Sequence, residues 1–129
     1  MLLAVVDDLL FSSKIRAAAE RAGESVSFTR THEDVVAQVK AIQPGLVIFD
    51  LDRDSLDPVA AIREIRSREA EHRTRLVAFA RHTSIDRIEA ARQAGIDLVL
   101  ARSAFFSALG EIIGGAGSSG PGVSPPEAS

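Results

Sequence analysis

Five short apolar runs, each followed by a stretch whose apolar residues recur every three or four positions, constrain this chain more than any other feature. The runs are Leu2–Val6, Val26–Phe28, Leu46–Phe49, Leu76–Ala80 and Leu98–Leu100. They are continuous rather than alternating, as strands covered on both faces are. Between them lie helical stripes. Phe11, Ile15, Ala18, Ala19 and Ala22 form the first, closed by Gly23. Thr31 and Asp34 resemble a capping box ahead of Val35, Val36, Val39 and Ile42, and Gln43-Pro44-Gly45 ends that helix. Asp57-Pro58 opens the third, with Val59, Ile62 and Ile65 on its apolar face. Thr83 and Asp86 cap the fourth, with Ile85, Ile88 and Ala91 facing in and Gly95 closing it. Ser103 caps the fifth, whose stripe is Phe105, Phe106, Leu109, Ile112 and Ile113. Strands alternating with amphipathic helices predict a doubly wound parallel sheet with right-handed crossovers and five helices shared between its faces.

The pattern stops at Ile113. Residues 114–129 read GGAGSSGPGVSPPEAS and hold five of the nine glycines and three of the five prolines. Val123 is their only large apolar residue, too little burial to offset ordering entropy. The expected organisation is one domain over 1–113 and a flexible tail or linker start over 114–129. Fifteen Lys and Arg against eighteen Asp and Glu give a net charge of −3, which argues against nucleic-acid binding by bulk positive charge. Cysteine is absent, which excludes disulfides, thiolate metal sites and a catalytic thiol, and fits a cytoplasmic location. No apolar run approaches the length of a membrane span, and the N-terminus runs into Asp7-Asp8 without a basic stretch, unlike a signal peptide.

In an open parallel α/β sheet, sites form at the carboxyl ends of the strands. Residues just after Val6, Phe49, Phe79 and Leu100 are therefore expected to face one another. Asp7 and Asp8 follow the first strand, Asp50 ends the third, Ala80 and Arg81 end the fourth, and Ala101 and Arg102 end the fifth. Any one of these aspartates alone is an ordinary turn or cap residue. Three at neighbouring strand ends are a site, because two carboxylates about 4 Å apart repel by roughly 4 kcal/mol at an effective dielectric near 20. A hard divalent cation such as Mg²⁺ answers that repulsion, and so does an arginine, for which Arg102 and Arg81 are the candidates. Asp52 and Asp54 read as solvated loop residues, and Asp57 as a helix cap. His32, His72 and His82 have no metal-ligand spacing and read as surface residues, with His82 at the rim of the site. A calcium loop starting at Asp50 fails, because its sixth position is Ser55 and its twelfth Ala61.

Taken together, LLAVVDD, LVIFDLDRDSLDP, VAFARH and GIDLVLARSAF resemble the receiver domains of bacterial two-component response regulators. The resemblance covers roughly residues 1–113. It implies a flavodoxin-like fold with strand order 2-1-3-4-5, and a signalling module rather than an enzyme. It puts Asp50 at the phosphoacceptor position and implies a Mg²⁺ site made of Asp7, Asp8, Asp50 and the backbone carbonyl of Asp52. The implied partners are a histidine kinase or another signalling protein, or a second copy docked through the fourth helix, fifth strand and fifth helix. The resemblance implies no contact with nucleic acid or membrane.

The departures matter as much. Ala80 stands where the family has a threonine or serine hydroxyl, Arg102 where it has lysine, Ser103 where it has proline, Val99 where it has the switching aromatic, and Arg81 where it has a small residue. The phosphate-accepting half of the pattern is retained and the half that reads out phosphorylation is degraded. The expectation is an atypical, pseudo-receiver module, with Arg102 paired to Asp50 or its neighbours and holding one state. A fully competent receiver phosphorylated on Asp50 is the alternative. VIFDLDRDSL also resembles the first motif of haloacid-dehalogenase-like hydrolases, with Asp50 as nucleophile and Asp52 as acid/base. Arg53 and Asp54 break that motif, and two strand–helix units precede it where it should open the domain.

Overall fold

The structure is a computed structural model and describes residues 1–53, 56–68 and 74–117. Its elements alternate as β1 Leu2–Val5, α1 Leu9–Arg21, β2 Val26–Phe28, α2 His32–Ile42, β3 Leu46–Asp50, α3 Pro58–Arg68, β4 Arg75–Ala80, α4 Ile85–Ala94, β5 Leu98–Ala101, α5 Arg102–Ser107 and α6 Leu109–Gly117. The five strands are all parallel and ordered β2-β1-β3-β4-β5, as expected.

The continuous apolar runs are explained by a two-sided core. Along each strand, alternate residues enter opposite layers. Leu3, Val5, Val47, Phe49, Leu76 and Ala78 pack with Val35, Ile62, Ile65 and Ala91 of α2, α3 and α4. Leu2, Ala4, Leu46, Ile48, Val77 and Phe79 pack with Ile15 and Ala19 of α1 and with Phe105, Leu109, Ile112 and Ile113 of α5 and α6. Phe79, Phe105, Phe106 and Phe11 stack edge-to-face and tilted in that second layer, with neighbouring centroids 4.9–5.3 Å apart.

Five local expectations are corrected. Among the described residues there are six helices rather than five, because the last apolar stripe is broken at Ala108 (φ −99°, ψ 9°) and resumes with Ile112 N–H bonded to the Ala108 carbonyl. Ser103 does not cap α5. The helix begins two residues earlier, at Arg102, with Ala101 at the cap position and no side-chain cap bond. Thr83 does not cap α4, since Ser84 holds that position. Ile85 does not face in: it is 70% exposed in the first turn of α4, and packing begins only at Ile88 and Ala91. Helix α6 also runs on to Gly117, past the Ile113 boundary that composition suggests. Residues 118–129 lie outside the described residues, as do Asp54, Ser55 and His72. No helix among the described residues is long and apolar enough to cross a membrane.

Candidate functional site

The register of the sheet brings the expected residues to one edge. Val5 pairs with Phe49, Asp50 with Phe79, and Ala80 with Ala101. The chain therefore leaves β1, β3, β4 and β5 at the same level, carrying Asp7 and Asp8, Asp50, Arg81, and Arg102.

Asp50 is the buried acid of the group, 8% exposed at the end of β3. Its Oδ1 accepts the Asp52 backbone N–H at 3.0 Å. Burial pushes its pKa above the ordinary aspartate value. The Asp52 N–H and the Arg102 charge pull it down, the Asp52 carboxylate pushes it up, and Arg53 pulls it down, with burial winning. Asp8 caps α1: its Oδ1 accepts the Phe11 N–H at 3.0 Å, while its carbonyl accepts the Ser12 N–H and hydroxyl. Asp7 is half exposed and stands between two guanidinium groups, Arg53 Nη2 at 3.5 Å and Arg30 Nε at 3.9 Å.

Asp52 is not the solvated loop residue that its position suggests. Its side chain is only 5% exposed. Oδ1 accepts the Ser84 hydroxyl at 2.5 Å, and Oδ2 accepts the Arg81 backbone N–H at 2.8 Å and Arg102 Nη2 at 3.3 Å. Arg81 Nε and Arg87 Nη1 stand further out, at 3.9 and 4.0 Å. Burial alone would raise its pKa, but the Ser84 and Arg81 bonds and the charges of Arg102 and Arg81 outweigh it and hold the carboxyl below the usual value.

Arg102 reaches back from the start of α5. Its guanidinium carbon lies 5.2 Å from the centre of the Phe11 ring, and its Nε is buried without a partner among the described residues. Ala80 is fully buried at the end of β4 and offers only a methyl group. Asp57 caps α3 as expected, accepting the Ala60 N–H at 3.1 Å. His82 is exposed at the rim, whereas His32 is half-buried and bonded to Glu64 at 2.7 Å.

The acids are therefore gathered at one edge but shared out among arginines. Asp7, Asp8 and Asp50 supply the hard oxygen donors that a divalent ion of the Mg²⁺ type takes, and fit it in kind. In position they are committed elsewhere: one Asp8 oxygen caps a helix and Asp7 faces Arg53. Among the described residues no group of three or more His, Asp or Glu side chains is placed to hold a metal ion. Ser84, Arg53 and Arg87 are the participants that the sequence left unmarked. Ser84 had a visible signal, a hydroxyl just ahead of a helix, but its hydroxyl is spent on Asp52 and not on the helix end.

No family model and no curated protein matches this chain. Solved structures do. A response regulator from Hahella chejuensis superposes with a TM-score of 0.78 at 20% identity, covering 91% of this chain and 94% of its own. The receiver domain of a sensor histidine kinase from Pseudomonas aeruginosa, with a magnesium ion coordinated in its active-site cleft, gives 0.76 at 24% identity over 91% and 97%. A phosphorylated cyanobacterial phytochrome response regulator, RcpA, gives 0.72 at 21% identity over 88% of each chain. At these identities the likeness is one of fold, and the chain carries the flavodoxin-like fold of the response-regulator receiver domains.

Proposed function

We propose that this chain is a receiver-type module of a two-component phosphorelay that acts as a protein-interaction domain, held in one conformation by its own arginine. The observation that carries this reading is the contact of Arg102 Nη2 with Asp52 Oδ2 at 3.3 Å, beside a β4 end that has a methyl group where a hydroxyl would meet a phosphoryl oxygen. A ligand shifts a conformational equilibrium only through contacts that differ between the two states. Here the arginine at the edge of the pocket already has an anionic partner, and that partner is covalently part of the chain. Val99 on β5 is aliphatic, so that position carries no ring to swing in answer to a vacated pocket. The working face would be α4, β5 and α5, with a histidine kinase, another signalling protein or a second copy as partner. As they stand among the described residues, Asp7, Asp8 and Asp50 are not placed to hold Mg²⁺.

The hydrolase reading is disfavoured by Asp52 itself. A general acid at neutral pH needs a raised pKa, and three donors hold this carboxyl low. The test is to expose the full chain to a small acyl-phosphate donor with Mg²⁺ and weigh the intact protein. No phosphoryl mass gain is expected, while Arg102→Ala shifts backbone amide signals along α4 and β5. A gain that Asp50→Asn abolishes establishes the competent receiver instead.

A further inference from the structure

Between the turn that follows β3 and the first turn of α3 lies a cavity of about 260 Å³. Leu51, Leu56, Pro58 and Val59 give it apolar walls. Arg53 and Arg87 line it as well, with Asp57 as the acid among the described lining residues. Asp57 is spent on the Ala60 N–H at 3.1 Å, and the N-terminal end of α3 adds partial positive charge. Arg53 uses a single nitrogen. Its side chain is only 8% exposed, and Nη2 donates to the Arg30 carbonyl at 3.0 Å and lies 3.5 Å from Asp7 Oδ2. Nε and Nη1 are buried and have no hydrogen-bond partner among the described residues. Asp7 offsets the charge from one side, but it is half exposed and also faces Arg30 at 3.9 Å. A carboxylate beside one nitrogen does not meet the directional demand of the other two. Buried charged donors are among the costliest groups to leave unmet, and a long side chain can avoid that cost by turning into water. Arg53 stays buried, and what its N–H groups call for is an acceptor.

We propose that this cavity binds a small organic carboxylate, with the anionic head on Arg53 and the apolar body against Leu51, Leu56, Pro58 and Val59. The class of ligand follows from the walls. Inorganic phosphate would lose hydration against leucine and valine surface without replacing it. A neutral apolar molecule would cover that surface but leave the Arg53 donors as they are. A monoanion with an apolar end answers both, through a charge-assisted hydrogen bond at one end and apolar burial at the other. The cavity is smaller than the roughly 300–1,000 Å³ of sites for drug-sized ligands, so the ligand is compact. Neither Asp50 nor Arg102 is among the described lining residues, so the inference is independent of the receiver-type reading and of any phosphoryl chemistry.

An amide-resolved NMR titration of the full chain with benzoate, and separately with hexanoate, tests it. Saturable shifts are expected at Leu51, Arg53, Leu56 and Val59. Benzamide has the shape of benzoate without the charge, and inorganic phosphate has charge without an apolar body. Each is expected to bind at least about tenfold more weakly than benzoate. Arg53→Met, neutral and of similar length, is expected to weaken benzoate binding at least about tenfold, and Arg30→Gln to leave it within about twofold. Arg53→Gln repeats the measurement if the methionine variant folds poorly, and the comparison of benzoate with benzamide needs no variant at all. Equal binding of benzoate and benzamide, phosphate binding as tight as that of benzoate, or no saturable shift with either carboxylate overturns the proposal. Benzoate binding that is unchanged in the Arg53 variants also overturns it.

Discussion

Asp50 ends β3 and Asp52 stands two positions on in the following turn, yet their carboxyl groups are pushed in opposite directions. Asp50 is raised because burial outweighs its single backbone bond and the nearby arginines. Asp52 is lowered because a hydroxyl, a backbone N–H and two arginines outweigh its burial. The consequences for stability have opposite signs. Between the ordinary aspartate value and its higher folded value, Asp50 holds its proton more tightly in the native state. Stability therefore falls as pH rises through that window, and the full penalty is present above it. Asp52 contributes stability above the ordinary value and loses it as pH falls through its lower folded value. Asp50→Asn is therefore expected to raise the urea midpoint at neutral pH, with the advantage shrinking to nothing on acidification below the ordinary aspartate range. An advantage that persists unchanged at low pH would mean that packing, not charge, is the cause. The approximate position of these acids was legible from the strand ends. Their partners were not: Arg102 lies 50 residues from Asp52 and Ser84 lies 32 residues from it.

Helix ends show where local sequence decides and where it yields. Thr31 caps α2 through the Asp34 N–H at 3.1 Å, and Asp57 caps α3, both readable from residue type and spacing. Ser84 stands at the α4 cap position and makes no cap bond, because its side chain is turned to donate to the Asp52 carboxylate and its oxygen does not reach a helix N–H. The other end of α4 is held more firmly. Gly95 has φ +110°, and Arg66 crosses from α3 to donate to its carbonyl at 2.8 Å, to the Thr74 carbonyl at 2.9 Å and to Asp97. A Cβ at Gly95 would meet Arg66 Cγ at 2.9 Å. Gly95→Ala is expected to cost about 2 kcal/mol by denaturant unfolding, from backbone strain and from displacement of Arg66. In an Arg66→Ala background the same change should cost only about 1 kcal/mol, the strain alone. The glycine stop was visible in the sequence, but the arginine that makes it intolerant of a side chain was not, since 29 residues separate them.

At the scale of the molecule, one side of the sheet is closed by α1 together with a broken C-terminal helix pair. Ile112 and Ile113 of α6 are buried, and α6 lies against α1. We propose that the folded unit ends within this helix. A chain ending at Gly117 should melt with the full-length protein. One ending at Gly110 should lose about 4 kcal/mol or more, the order expected for emptying two buried isoleucine sites. A melt unchanged in the shorter chain would remove α6 from the core. The gathering of acids at one edge follows from the sequence by itself, whereas the strand order came only with the resemblance to receiver domains. Apolar periodicity dictates which segments are strands, and right-handed parallel crossovers leave every strand end on the same side. Which arginine meets which aspartate was decided only by tertiary structure. An arginine side chain can reach several acids from one Cα, and the choice among them depends on burial and on charges brought close by crossovers of tens of residues.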